Sequence, residues 1–139
     1  MRQTVHATTV ARFRSGWRGV LLLGPSGAGK SDLALRLIGA GWRLVADDQT
    51  LVWGSGGRLF GAAPQRLHGL IEARGVGLIA APALALSPLS LAVHLQAAAP
   101  ERLPEPETWA HQGLALPLIR LDAAHASAVD KIAAALAAI

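Results

Sequence analysis

The segment Gly24-Pro25-Ser26-Gly27-Ala28-Gly29-Lys30-Ser31 constrains this chain more than any other. It matches G-x-x-x-x-G-K-[ST]. The apolar run Val20-Leu21-Leu22-Leu23 precedes it, and a helical pattern over Ser31 to Ala40, closed by Gly41, follows it. A short continuous apolar run reads as a strand buried on both faces. From average composition, the motif alone arises by chance in roughly one chain of this size in two hundred. With a strand before it and a helix after it, the spacing has a physical meaning. Glycines let successive backbone N–H groups turn inward around a polyanion, and the helix N-terminus adds a favourable dipole. Lys30 is then placed to reach β/γ-phosphates and the Ser31 hydroxyl to bind Mg²⁺. The expected ligand is a nucleoside triphosphate or a similar phosphate.

Composition narrows the rest. A chain of 139 residues, 52% apolar and 16% charged, supports one domain with a packed core and excludes a disordered chain. The absence of cysteine removes disulfide scaffolds, thiolate nucleophiles and zinc ribbons. The formal charge of +4 suits a phosphate-bearing ligand or an acidic partner. Its arginines are scattered and not striped, so no nucleic-acid surface is expected. Met1 to His6 lacks the apolar core of a secretory signal, which makes the cytosol the default compartment. Val76 to Val93 is uncharged and long enough to span a bilayer, but Pro82, Ser87, Pro88 and Ser90 make it read as buried strands with a break. No membrane association is expected.

The pattern along the chain is α/β with more strands than helices. Thr4 to Phe13 is β-branched and reads as one strand, and Arg43 to Ala46 as another. Leu51-Val52-Trp53, Gly54 to Gly57 and Arg58-Leu59-Phe60 give a hairpin signal. Ser90 to Leu95 is strand-like, Pro100 to Pro106 is the clearest loop, and Leu114 to Leu121 is a last strand whose Pro117 points to a sheet edge. Ala128 to Ile139 closes as a helix with Val129, Ile132, Leu136 and Ile139 on one face. The tryptophans read as core or interface anchors.

Asp47-Asp48 end the Arg43–Ala46 strand, which is expected to lie beside the strand that feeds the loop. The carboxyl end of such a strand opens onto the phosphate crevice. One acid there can serve a metal while its neighbour accepts a proton from an attacking hydroxyl. The alternative is that Asp48 only caps a turn. Glu72-Ala73-Arg74, taken alone, fits a surface ion pair, and His6, taken alone, a strand residue.

Three segments in order, Gly24 to Ser31, Leu44 to Asp48 and Ile71-Glu72-Ala73-Arg74-Gly75-Val76-Gly77-Leu78-Ile79-Ala80, resemble the catalytic domain of HPr kinase/phosphorylase. The E-x-R-G-x-G element is the specific one, and Val5-His6 and Ala63-Pro64 extend the likeness. The resemblance implies one catalytic domain over residues 1–139, with a P-loop core similar to that of phosphoenolpyruvate carboxykinase. It implies an ATP- and Mg²⁺-dependent serine kinase acting on the phosphocarrier protein HPr and reversing the reaction with inorganic phosphate. By position, Lys30 contacts phosphates, Ser31 and Glu72 hold Mg²⁺, and Asp47 is the base. His6, Asp48 and Arg74 join the active site.

The chain resembles the short alphaproteobacterial form, without the separate N-terminal domain of the long form. The family's G-R-N arginine has no counterpart in Leu121 to Ala128, so phosphorolysis is expected to be the slower direction. A homo-oligomer is compatible with the family. The rival expectations are a nucleotide-sensing regulator that binds a sensor kinase, and a small-molecule P-loop kinase, which the lack of a lid with converging arginines disfavours.

Overall fold

The computed structural model describes residues Met1 to Ile139. Its strands are β1 (Gln3–Val5), β2 (Thr8–Phe13), β3 (Trp17–Leu23), β4 (Arg43–Ala46), β5 (Thr50–Ser55), β6 (Arg58–Ala62), β7 (Leu70–Ala73), β8 (Gly77–Ala80), β9 (Ser87–Leu95), β10 (Glu107–His111) and β11 (Leu114–Leu121). The helices are α1 (Lys30–Gly39) and α2 (Ala128–Ala137), with a 3₁₀ turn at Gln65–Leu67. This is the strand-rich α/β chain that the sequence pattern describes. No helix is long and apolar enough to cross a membrane.

Nine strands form one mixed sheet, seven of them in the order β1-β5-β6-β9-β3-β2-β4 and β10 and β11 on a branch. β11 also pairs β9, parallel to it, and β10 pairs β11. β7 and β8 form a separate hairpin. β9 is therefore forked. One edge runs along β3, while the other meets β6 near its start and β11 near its end.

Two expectations need correcting here. The segment Thr4–Phe13 is not one strand, because it breaks at His6-Ala7 so that β1 can join β5 while β2 joins β3. Nor is β4 the neighbour of β3. The tight turn at Arg14–Gly16, with Ser15 at φ 52° and Gly16 at φ 120°, folds β2 back onto β3, and β4 takes the far edge of β2. Because β2 is antiparallel to both, β3 and β4 still point the same way. Their carboxyl ends open on the same edge of the sheet, as the chemistry requires.

Alternation along the central strands divides the core. Val20 and Leu22 of β3, with Leu91, Val93 and Leu95 of β9, meet Leu33 and Leu37 of α1 and Ile132 and Leu136 of α2 on one face. Leu21, Leu89 and Ala92 pack on the other face against Val52, Leu59 and Leu116. Ile139, expected on the buried face of α2, is more than half exposed because the helix stops at Ala137. Ile132 is fully buried, and Ile132→Ala should cost about 2–5 kcal/mol of unfolding free energy, read from urea denaturation. A smaller loss would mean that α2 is loosely docked.

The end of α1 is fixed by its own backbone. Gly41, at φ 100°, donates its N–H to the Ile38 carbonyl, and the Trp42 N–H reaches the Leu37 carbonyl at 3.1 Å. This is a Schellman closure, which needs the left-handed residue that glycine supplies. It drops Trp42 into the core, 4% exposed. Trp17 and Trp53 instead lie under the guanidinium groups of Arg43 and Arg2. Pro117 behaves as an edge residue should. It faces β10 only, because pairing with β9 begins at Leu118. Arg120 clasps Glu107 through two hydrogen bonds of 2.9 and 3.0 Å, which hold the Glu107 carboxyl below its ordinary range.

Candidate active site

β3 ends at Leu23 and α1 begins at Lys30, so Gly24–Gly29 form the link between a buried strand and a helix N-terminus. Gly24, Gly27 and Gly29 all have positive φ, at 143°, 83° and 95°. At Gly24 a Cβ would lie 2.9 Å from the Leu95 carbonyl oxygen, and at Gly29 it would lie 3.1 Å from the Ala123 Cβ. These two glycines are required by both backbone and space. Lys30 is the first helical residue and is nearly buried. Its Nζ donates to the carbonyls of Gly24 and Pro25 at 2.8 and 2.9 Å, folding the ammonium over the mouth of the loop.

The two acids, adjacent in sequence, face different ways. Asp47 is buried, with every near donor converging on it. Oδ1 accepts from Ser31 Oγ at 2.6 Å and Thr8 Oγ1 at 3.0 Å, and Oδ2 accepts the Glu72 backbone N–H at 2.9 Å. Asp48 sits at φ 67°, and the Gln49 N–H closes a tight turn onto the Asp47 carbonyl at 2.7 Å. Asp is among the few residues that tolerate this conformation. The flip turns the Asp48 carboxylate outward, where Oδ1 meets His6 Nε2 at 2.9 Å. Both side chains are about half exposed or more.

His6 reaches that position because the chain breaks between β1 and β2. Thr8, two residues on, links the two acids: its hydroxyl donates to Asp47 and accepts the Asp48 N–H at 3.1 Å. Sequence reasoning missed Thr8, and nothing in the one-dimensional pattern separates it from any other strand threonine. A second buried pair, Thr9 and Thr50, locks the same strand ends, with Thr50 Oγ1 donating to the Ala7 carbonyl.

Of the other expected residues, Glu72 is brought in by its backbone, on β7 directly beside Asp47, while its side chain is exposed. Arg74 lies at the tip of the β7–β8 hairpin, exposed and without an ion pair. The surface pairing of Glu72 with Arg74 does not form. The loop, Ser31, Asp47, Asp48, His6 and the Glu72 backbone therefore form one constellation, with which the Arg74 side chain makes no hydrogen bond or ion pair.

Hard oxygen donors suit a small divalent cation. Ser31 Oγ and the Asp47 carboxylate supply them 2.6 Å apart at the base of the loop. No group of three or more His, Cys, Asp or Glu side chains converges anywhere in the chain. This fits a cation that takes its remaining ligands from phosphate oxygens and water.

A family profile described as "HPr Serine kinase C-terminal domain" matches residues 1–101. The chain belongs to that family. It is 47% identical over 75 residues to an HPr kinase/phosphorylase of Mycoplasmopsis pulmonis, covering 54% of this chain and 23% of that protein. It is 44% identical over 91 residues to one of Limosilactobacillus reuteri, covering 60% and 28% respectively. The chain thus matches about a quarter of the length of these curated relatives. Its fold is similar to that of the HPr(Ser) kinase/phosphatase from Coxiella burnetii, with a TM-score of 0.81, 26% identity, and coverage of 98% of this chain and 95% of that one. The strand-rich α/β architecture with two helices described above matches that structure.

Proposed function

We propose that the chain is an ATP- and Mg²⁺-dependent serine kinase of the HPr type, built on a phosphate-loop core similar to that of phosphoenolpyruvate carboxykinase. The observation that carries this reading is the pairing of a glycine loop ending in Lys30-Ser31 with an outward-facing Asp48–His6 couple on the same sheet edge. The curated relatives and the solved structure bear kinase names, which supports the same activity.

Each group then has a task. Backbone N–H groups of Gly24–Gly29 and the Lys30 ammonium hold the β/γ-phosphates, Lys30 exchanging its two carbonyl partners for phosphate oxygens. Ser31 and Asp47 hold Mg²⁺, which when bound neutralises phosphate charge. Glu72, one backbone step away, is the further carboxylate available to that ion.

We assign the base to Asp48 and not to Asp47, the acid that the resemblance implies. Asp47 already accepts three hydrogen bonds and is buried, whereas Asp48 is accessible, and His6 leaves one of its oxygens open. Asp48 takes the proton from the substrate serine as that oxygen attacks the terminal phosphorus and the bond to the leaving nucleoside diphosphate breaks. His6 holds the carboxylate in place. In reverse, inorganic phosphate occupies the loop, attacks phosphoserine and departs as pyrophosphate, and Asp48 returns the proton to serine.

The experiment is direct. Incubation with γ-labelled ATP, Mg²⁺ and HPr should give acid-stable phosphoserine on HPr. Nucleotide binding without any transfer to HPr would overturn the kinase reading and leave the nucleotide-sensing regulator, which the family match does not favour.

A further inference from the structure

The amino end of β3, opposite the end that feeds the loop, opens onto a cavity of about 490 Å³. The length of the strand, roughly 20 Å, separates the two. The cavity has a local cause. A Cβ at Gly19 would lie 2.7 Å from the Pro88 carbonyl oxygen, so only glycine lets β9 cross this close to β3. The register then skips a residue. Gly19 pairs with Leu89 and Val20 with Leu91, which leaves Ser90 as a bulge on the cavity wall. The tight turn at Arg14–Gly16 and the first residue of β6 close other sides.

Three guanidinium groups reach this wall from three segments: Arg14 from the turn, Arg18 from β3 and Arg58 from β6. No Asp or Glu side chain lines it, and none of the three arginines forms an ion pair. Arg18 donates to the Ile139 carbonyl at 3.3 Å. Arg12 lies opposite Arg18 in the β2–β3 register, and burial together with the charges of Arg14 and Arg18 holds its pKa below the ordinary value. Four like charges are thus gathered with no carboxylate to offset them. Such a cluster raises the local concentration of anions, multivalent ones above all.

We propose that this cavity is a second anion site, separate from the phosphate loop, for a small molecule carrying a phosphate-type dianion. A guanidinium fork matches two phosphate oxygens at once. Forks brought in from a turn, a strand and a hairpin surround a compact anion, whereas an extended polyanion needs them in a stripe. The Ser15 and Ser90 hydroxyls add neutral donors, and Trp17 with Pro88 gives an apolar wall to an organic body. The site shares no residue with the phosphate loop, so it does not rest on the reading of that loop.

An NMR titration of the isotope-labelled full chain with inorganic phosphate, and separately with glycerol phosphate, tests the proposal. Sodium chloride at matched ionic strength is the control. The Trp17 indole N–H and the Ser15 and Gly16 amides should shift saturably with both anions. A lower midpoint for glycerol phosphate would identify an organic phosphomonoester as the ligand, and equal midpoints the free anion. The double variant Arg14→Gln, Arg58→Gln should raise those midpoints at least about tenfold and leave the response of the Gly27 and Gly29 amides unchanged. Reporter signals that stay still, follow sodium chloride equally, or keep their midpoint in the double variant would overturn the proposal. So would arginine-dependent capture on phosphatidylglycerol vesicles without a response to either small anion, which would make the cluster a membrane surface. Unmoved Gly27 and Gly29 amides would count against the phosphate-loop reading alone.

Discussion

Asp48→Asn is expected to bind nucleotide normally and to transfer the phosphoryl group roughly 10²–10⁴ times more slowly. The substitution keeps the shape, and asparagine also tolerates the left-handed backbone at φ 67°, so the fold has no reason to change. It removes only the capacity to accept the serine proton. Single-turnover transfer to HPr at saturating ATP measures the effect free of binding. The companion variant Asp47→Asn separates the roles of the two acids. It should raise the Mg²⁺ concentration needed for half-maximal rate, because Asp47 shares its Oδ1 with Ser31 at 2.6 Å. If Asp48→Asn transfers at the wild-type rate and Asp47→Asn does not, the assignments are reversed and Asp47 is the base.

Lys30→Ala should weaken nucleotide binding by at least about tenfold and slow transfer by a further 10²–10³, the usual cost of losing one fixed cation or donor at the transferring phosphate. The side chain is nearly buried and its ammonium satisfies two loop carbonyls, so the loop itself relaxes when it is removed. Calorimetry for binding and labelled-phosphate transfer for rate test the two parts separately. A folded variant with unchanged ATP affinity would show that the loop amides alone hold the phosphates. Lys30→Arg should not rescue, since the planar fork of a guanidinium cannot replace a point charge in so narrow a seat.

The sequence exposes some parts of this site and hides others for physical reasons. The loop and α1 are legible because their requirements are local: positive φ at named glycines, a buried strand before them and a glycine closure after them. β4 and the β5–β6 hairpin are legible on the same terms. The insertion of β2 between β3 and β4 is not, since strand order is settled by long-range packing and the motif reads equally well with β4 adjacent. The different settings of Asp47 and Asp48 are equally hidden. It depends on one backbone flip at Asp48, and on Thr8, which lies about forty positions upstream and touches both acids. Arg74 shows the converse. The motif places it in a family pattern, yet its side chain is exposed at a hairpin tip and makes no hydrogen bond or ion pair with the constellation.

The forked pairing of β9 has a consequence for local stability. β6 grips β9 at only two register positions, Phe60 with Pro88 and Gly61 with Ser87, whereas β3 pairs with it at five. The arm β1–β5–β6 is thus tied to β9 by fewer backbone pairs than β3 is, with the Thr9–Thr50 hydroxyl pair and the buried Val52 and Leu59 as further anchors. Its amides are expected to exchange before those of β3 and the second half of β9. β1 pairs with nothing except β5, so it travels with the arm, and His6 is the hinge residue between that arm and the rigid β2. The loop, Lys30 and Ser31 follow β3 and lie outside that arm, as does Asp47 at the end of β4. Opening of the arm would therefore part His6 from Asp48 while Lys30, Ser31 and Asp47 keep their places, so the two halves of the proposed site would draw on regions of different durability.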